Sequence, residues 1–167
     1  MEIPTLTTAR LVLRPFRLAD FESYAAMCAN PEVMRYIDDV QDRESAFRSF
    51  CASLGHWEVR GYGPWALEES ATGSVIGRAG LFHWERFPSI EVGYLLEPSA
   101  WGKGYATEAA ERSIRFAREV VRARGVVSLI QPENTASIRV VEKLGAKLER
   151  EIVDRKLRRV LIYLFPD

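Results

Sequence analysis

The residues best suited to chemistry are Trp101-Gly-Lys-Gly-Tyr-Ala-Thr-Glu108, which follow the apolar run Ile90 to Leu96 and open a helical pattern. A strand, a glycine-bearing turn and a helix in that order leave the first N–H groups of the helix without partners. The helix dipole turns its positive end to the same spot. The chemistry this suits is main-chain binding of an anion, such as a phosphorylated ligand. Spacing excludes two ligand classes. A nucleoside triphosphate loop needs Gly five residues before the Gly of its Gly-Lys pair and Ser or Thr after it, whereas Glu97 and Gly104 stand there. A dinucleotide fingerprint needs a third glycine where Thr107 stands, and no strand-helix-strand repeat opens the chain.

A few side chains add acid, base or hydrogen-bonding capacity. Glu91 is a carboxylate on an otherwise apolar central strand, costly there unless it is paired or useful. General-base work and pairing with an arginine are both open. His83 and Trp84 end the neighbouring strand and would line a cleft beside Glu91, although a lone His at a strand end also serves as a surface or hydrogen-bonded residue. Asn134, before a helical pattern, reads on spacing alone as an N-cap, with Ser137 three residues on. Tyr163 lies on the last apolar strand, either filling the core or hydrogen-bonding in a site. Cys28 and Cys51 are isolated in apolar helical patterns and read as buried reduced thiols.

These residues must be positioned by a run of short elements. Leu11 to Leu13 reads as a first strand. Asp20 is placed to cap a helix carrying Phe21, Tyr24, Ala25 and Cys28, which stops at Asn30-Pro31. A second helix starts near Asp42, with Ala46, Phe47, Phe50, Cys51, Leu54 and Trp57 at helical spacing, and ends before Gly61. Trp65 to Glu68, Val75 to His83 and Ile90 to Leu96 read as strands parted by Ala71 to Ser74 and Arg86 to Ser89. The third helix starts in the glycine loop, with Ala106, Ala109, Ala110, Ile114, Ala117 and Val121 on one face. Val126 to Ile130 follows as a strand, then a helix from Thr135 to Leu144 closed by Gly145. The last strands, Lys147 to Val153 and Leu157 to Phe165, are joined by a charged turn. Strands, helices and strands again imply a mixed α/β sheet covered by helices.

At 167 residues and 47% hydrophobic content, one well-buried core over 1–167 is expected. The net charge of zero gives no sign of nucleic acid or an anionic membrane as partner. Met1 to Thr5 lacks the basic and apolar regions of a secretion signal, and no apolar run approaches the ~20 residues that span a bilayer. A cytoplasmic location is the resulting expectation.

The sequence Trp101-Gly-Lys-Gly-Tyr-Ala106 after a strand ending at Pro98 resembles the acetyl-CoA pyrophosphate loop of the GNAT N-acetyltransferases. Their general pattern is Arg/Gln-x-x-Gly-x-Gly/Ala. Gly104 and Ala106 match its small positions, while Trp101 replaces Arg or Gln. That replacement is typical of the RimJ/RimL-like branch. So are Thr8-Ala-Arg-Leu-Val-Leu-Arg-Pro15, Glu91-Val-Gly-Tyr94, Pro132-Glu-Asn-Thr-Ala-Ser137 and Glu142-Lys-Leu-Gly145, in that order. The resemblance implies the GNAT fold, a mostly antiparallel central sheet flanked by helices. It implies acetyl-CoA as cosubstrate, no metal, and an amine acceptor, either a small molecule or a protein N-terminus. The pyrophosphate would lie on Trp101, Gly102, Lys103, Gly104, Tyr105, Ala106 and Thr107. The pantetheine arm would run along Tyr94, Leu95 and Leu96, where the strand splays from its neighbour. Asn134 would bond that arm and Ser137 would lie near the sulfur.

Acetyl transfer to an amine needs a neutral amine, a polarised thioester and a proton for the departing thiolate. Glu91 is the candidate base and Ser137 the candidate acid. The tyrosine acid of many GNAT enzymes is absent, its position being Val141. A thiol of ordinary pKa leaves tolerably without strong acid help. A covalent acetyl-cysteine route is disfavoured, since neither cysteine has a nearby base or lies near the loop. The lack of excess acidic residues disfavours polycationic acceptors. The expected protein is an N-acetyltransferase acting directly on a primary amine, as a monomer or homodimer, with no nucleic-acid or membrane partner. The alternative is an acetyl-CoA-binding module without catalysis.

Overall fold

The computed structural model describes residues 2–85 and 87–166. The chain runs β1 (Leu6–Thr7), β2 (Leu11–Arg14), α1 (Phe21–Ala29), α2 (Pro31–Met34), α3 (Arg43–Arg60), β3 (Pro64–Glu69), β4 (Val75–Phe82) and β5 (Glu91–Leu96). It continues through α4 (Tyr105–Glu119), β6 (Val127–Ile130), α5 (Thr135–Lys143), β7 (Lys147–Val153) and β8 (Arg159–Leu164). Among the described residues these strands form one eight-stranded sheet in the order β1-β2-β3-β4-β5-β6-β8-β7. Every pairing is antiparallel except that of β5 with β6. The mixed, mostly antiparallel sheet flanked by helices agrees with the sequence reading.

Strand alternation divides the apolar residues between two faces. Leu11, Leu13, Trp65, Leu67, Ala79, Leu81 and Val92 pack with Ala109, Ala110, Ile114 and Ala117 of α4. At one end of this core the Trp65 ring meets Trp57 of α3 at 4.8 Å and Phe116 of α4 at 5.1 Å, both edge-on. Each indole N–H is satisfied, Trp57 donating to the Pro64 carbonyl (2.9 Å) and Trp65 to that of Pro4 (2.8 Å). Ala66 of β3 packs with Phe16, Phe21, Tyr24, Cys28 and Phe50, so α1 and α3 cover the other face. Leu95 lies against Met27, Val33 and Met34.

Several local expectations change in three dimensions. The short elements β1 and α2 carry too little periodicity to be read from sequence. Strand β4 stops at Phe82 because the His83 N–H leaves the ladder for Nε2 of His56 (3.1 Å). Strand β8 begins at Arg159 because Leu157 adopts a left-handed turn, φ 59°. On α3 the buried stripe is Ala46, Phe50, Ser53 and Trp57, which leaves Cys51 exposed and Phe47 only partly covered. Cys28 is buried as expected, and both thiols are free. Arg86, in the turn expected before β5, lies outside the described residues. Among the described residues no helix is long and apolar enough to cross a membrane.

Asp20 does not cap α1. Its carboxylate accepts from Nη1 and Nη2 of Arg14 (2.8 and 2.9 Å) and from the Arg17 N–H (2.7 Å), while Arg14 Nε donates to Glu68 (2.6 Å). Burial alone would raise the Asp20 carboxyl, but the Arg14 bonds and the Arg17 amide hold it below its ordinary value. Because its folded pKa is depressed, its stabilisation is full above the unfolded carboxyl value and is lost as pH falls through the folded one. Asp20→Asn leaves Arg14 with only the half-buried Glu68 as a carboxylate partner. By chemical denaturation at neutral pH it is expected to lose about 3–5 kcal/mol, and less in acid.

Candidate active site

Strand β5 stands at the centre because its two edges behave differently. Along β4 it is paired from Glu91↔Phe82 to Leu96↔Gly77. Along β6 the register holds one Cα pair, Glu91↔Val127, after which the two strands part. Ser128 Oγ donates to the Val92 carbonyl (2.7 Å) at the point of parting. The side chains of Leu95 and Leu96 are buried, so what β5 offers the opening there is main chain.

The glycine loop lies beyond the open end of this gap. Gly102 and Gly104 take left-handed conformations, φ 72° and 84°, which side chains rarely adopt. A Cβ at Gly102 would meet nothing within 4 Å, and one at Gly104 only Arg10 Nη2 at 3.4 Å. Gly104 is the N-cap of α4, and no side chain caps that helix start. Open space in front of uncapped amides on a 15-residue helix suits an anionic group approaching the main chain. Trp101 Nε1–H donates to the Leu96 carbonyl (2.9 Å), tying the loop to the end of β5. Lys103 is exposed. Tyr105 is buried with its hydroxyl donating to Glu69, and Ala106 and Thr107 are half-buried in the first turn of α4.

The loop is also held by residues that sequence reasoning left as a mere match. Arg10 Nη1 donates to the Lys103 carbonyl (2.8 Å), and its Nε to Glu108 (2.8 Å). The guanidinium lies 4.5 Å from the centre of the Tyr105 ring. Thr8 Oγ1 donates to the same Glu108 carboxylate (2.6 Å). Burial works against that carboxylate, but Thr8 and Arg10 outweigh it and hold Glu108 below its usual range. The Thr8-Ala-Arg10 run was the available signal, but its partner lies about a hundred residues away.

A cavity of about 140 Å³ opens where β5 and β6 part. Glu91, Tyr94, Asn134 and Ser137 all line it, together with Tyr36, Arg78, Phe82 and Trp84. The fold thus brings together the base and acid candidates of the sequence reading. Trp84 Nε1–H donates to the Glu91 carboxylate. His83 does not line the cavity, because its N–H has turned toward His56. Tyr163 is buried, 5% exposed, and its hydroxyl donates to Glu142 (3.4 Å), so it fills the core. Val141, also fully buried, belongs to the core.

Asn134 Oδ1 accepts the Ser137 N–H (3.2 Å), which makes Asn134 the N-cap of α5. The cap uses only the carbonyl oxygen, and the Asn134 NH₂ group is left for other acceptors. Tyr94 contributes more than backbone. Its hydroxyl donates to the Ser137 carbonyl (3.4 Å), and burial pushes the phenol up to about 12, the nearby Ser137 side chain opposing. A phenol held that firmly is a hydrogen-bond donor at neutral pH and a poor proton donor. Asn134→Ala is expected to cost about 1 kcal/mol of thermal stability through the lost cap. If it also weakens CoA binding in calorimetry, the NH₂ group holds the ligand; unchanged affinity leaves only the cap.

Among the described residues no group of three or more His, Cys, Asp or Glu side chains is arranged to hold a metal ion. The family model for the acetyltransferase (GNAT) domain matches residues 10–147. The protein YkkB of Bacillus subtilis (strain 168) is 32% identical over 155 residues, 88% of this chain and 87% of YkkB. An acetyltransferase crystal structure from Agrobacterium tumefaciens str. C58 matches with a TM-score of 0.90 at 34% identity, covering 100% of this chain and 96% of that one. RimL, a ribosomal L7/L12 α-N-protein acetyltransferase solved in complex with coenzyme A, matches in fold at TM-score 0.82 and 16% identity, with 96% and 97% covered.

Proposed function

This chain belongs to the GNAT acetyltransferase family, and from that premise we propose that it transfers an acetyl group from acetyl-CoA directly to a primary amine. One observation carries the reading: β5 runs from a cavity lined by Glu91 and Ser137, where it parts from β6, to Leu96, whose carbonyl holds Trp101 of the glycine loop before the uncapped start of α4. Bound there, acetyl-CoA supplies an acyl group activated as a thioester. Gly102 to Thr107 take the pyrophosphate on main-chain N–H groups, and the free edge of Tyr94 to Leu96 aligns the pantetheine arm. The Asn134 NH₂ group donates to that arm.

Glu91 accepts the proton of the incoming ammonium, directly or through one water, so that the nitrogen lone pair is free to attack. The C–N bond forms and the C–S bond breaks, and the second proton that the nitrogen sheds passes through water to the departing sulfur. The Ser137 hydroxyl donates a hydrogen bond to that sulfur while Tyr94 keeps its bond to the Ser137 carbonyl. A thiolate of ordinary pKa needs no stronger acid than water to end as CoA thiol. The similarity to the RimJ/RimL-like branch rests on the motif segments, since RimL at 16% identity carries the fold alone. The domain is taken to span residues 1–167.

The test is free-thiol release and product mass with acetyl-CoA and a panel of peptides, amino acids and small amines. Acetylated product with stoichiometric thiol supports the reading. Tight CoA binding without turnover on any amine replaces it with a non-catalytic acetyl-CoA module.

A further inference from the structure

Strand register sets an unusual surface beside Glu91. Arg78 faces Leu95, Gly80 faces Gly93 and Phe82 faces Glu91 across the β4–β5 ladder. Alternation puts all six on the sheet face that α1 and α2 partly cover. Two opposed glycines leave the middle of this strip bare, with a cation at one end and a carboxylate at the other. The Phe82 ring leans over the bare part, and a Cβ at Gly93 would lie 3.1 Å from it. Both Arg78 and Glu91 line the cavity.

Arg78 is half-buried, and among the described residues it forms no ion pair. Its guanidinium carbon is 5.4 Å from the centre of the Phe82 ring and 5.8 Å from that of Tyr24. One N–H donates to the Tyr24 hydroxyl (3.3 Å). Burial raises the Tyr24 phenol despite Arg78, so this neighbour is neutral and leaves the arginine charge uncompensated. A guanidinium keeps its charge at any working pH and presents five donors in a planar fork. Here the flanking rings hold the fork in place and most of its donors remain available to the cavity. The complement is a carboxylate.

We propose that the acceptor is a small amine that also bears a carboxylate, an amino acid, with its carboxylate on Arg78 and its amine turned toward Glu91. The cavity, about 140 Å³, is below the ~300–1,000 Å³ that holds a drug-sized ligand, which suits so compact an acceptor. The proposal rests on the reading of this cavity as the acceptor site.

The experiment measures kcat/KM at saturating acetyl-CoA for a panel of α-amino acids and for the matching carboxamides, which keep the amine and the shape but lack the charge. The wild type is expected to prefer its best amino acid over the carboxamide by at least tenfold. In Arg78→Gln that ratio should fall to within about twofold of one. Arg78→Lys, which keeps the charge without the fork, should give an intermediate ratio. Thermal melting confirms that each variant is folded, and Arg78→Lys serves if Arg78→Gln is not. A wild type that acetylates amines without preferring the carboxylate overturns the proposal and leaves the acetyltransferase reading standing. So does a variant in which both substrates fall together with the ratio intact. A wild type that binds CoA and acetylates nothing overturns both.

Discussion

Gly104→Glu is expected to abolish CoA binding in a protein that still folds. The position is exposed, left-handed at φ 84°, and forms the N-cap of α4. A side chain there bears a backbone cost of about 1–2 kcal/mol, which a domain of this size tolerates. A carboxylate at a helix start is itself favourable for the helix, so the fold does not suffer from the charge. The ligand does, because the carboxylate occupies the place and uses the amides that a pyrophosphate would take. Arg10 Nη2, 3.4 Å from the new Cβ and paired with Glu108 (2.7 Å), keeps a positive charge beside it. Calorimetry should show at least a hundredfold loss for Gly104→Glu and a much smaller one for Gly104→Ala, which separates charge from strain. Unchanged affinity in a folded Gly104→Glu protein would remove this loop from the cofactor site.

Glu91→Gln should slow acetyl transfer by roughly 10²-fold or more while CoA affinity hardly moves, since general-base work typically contributes about 10²–10⁴-fold. The glutamine keeps the shape and an acceptor for the Trp84 N–H while it removes the carboxylate base. The acidic limb of the pH–rate profile should shift with it. A drop below about threefold would leave Glu91 a structural residue. The size of the effect also reports on the acceptor. An α-amine with a pKa near ~8 is partly neutral at working pH, whereas a lysine-type amine near ~10 is not. A peptide N-terminal α-amine therefore needs less help from the base than a side-chain amine, or than a free α-amino acid, whose own carboxylate favours the ammonium form. Assaying the variant on both kinds separates the cases.

Trp101 to Thr107 was legible because its signal is local: a strand, glycines and a helix start in sequence. The order of elements was legible for the same reason. Asp20 illustrates the limit. As a residue before a helix it looks like a cap, yet the Arg14 fork brought beside it by β2 is a stronger partner for a buried carboxylate. Asn134 shows the opposite case, where the local reading as a cap holds and leaves its other group for a ligand. Cys51 was misplaced because two adjacent apolar stripes are compatible with the α3 sequence, and only its packing on Phe21, Tyr24 and Ala66 selects between them.

By itself the sequence determined the family, the glycine loop that opens α4, most of the strands and helices, and the candidates Glu91, Asn134 and Ser137. All of these depend on residues near one another in the chain, through periodicity, capping and backbone conformation. Tertiary structure alone decided that β5 and β6 meet at one residue pair and then part, that Arg10 clasps the loop, and that Tyr94 reaches Ser137. It alone set Arg78 and Glu91 on one face across two glycines. The physical reason is that strand register and long-range polar partners are chosen when distant segments bury their apolar faces together, and no local propensity records that choice.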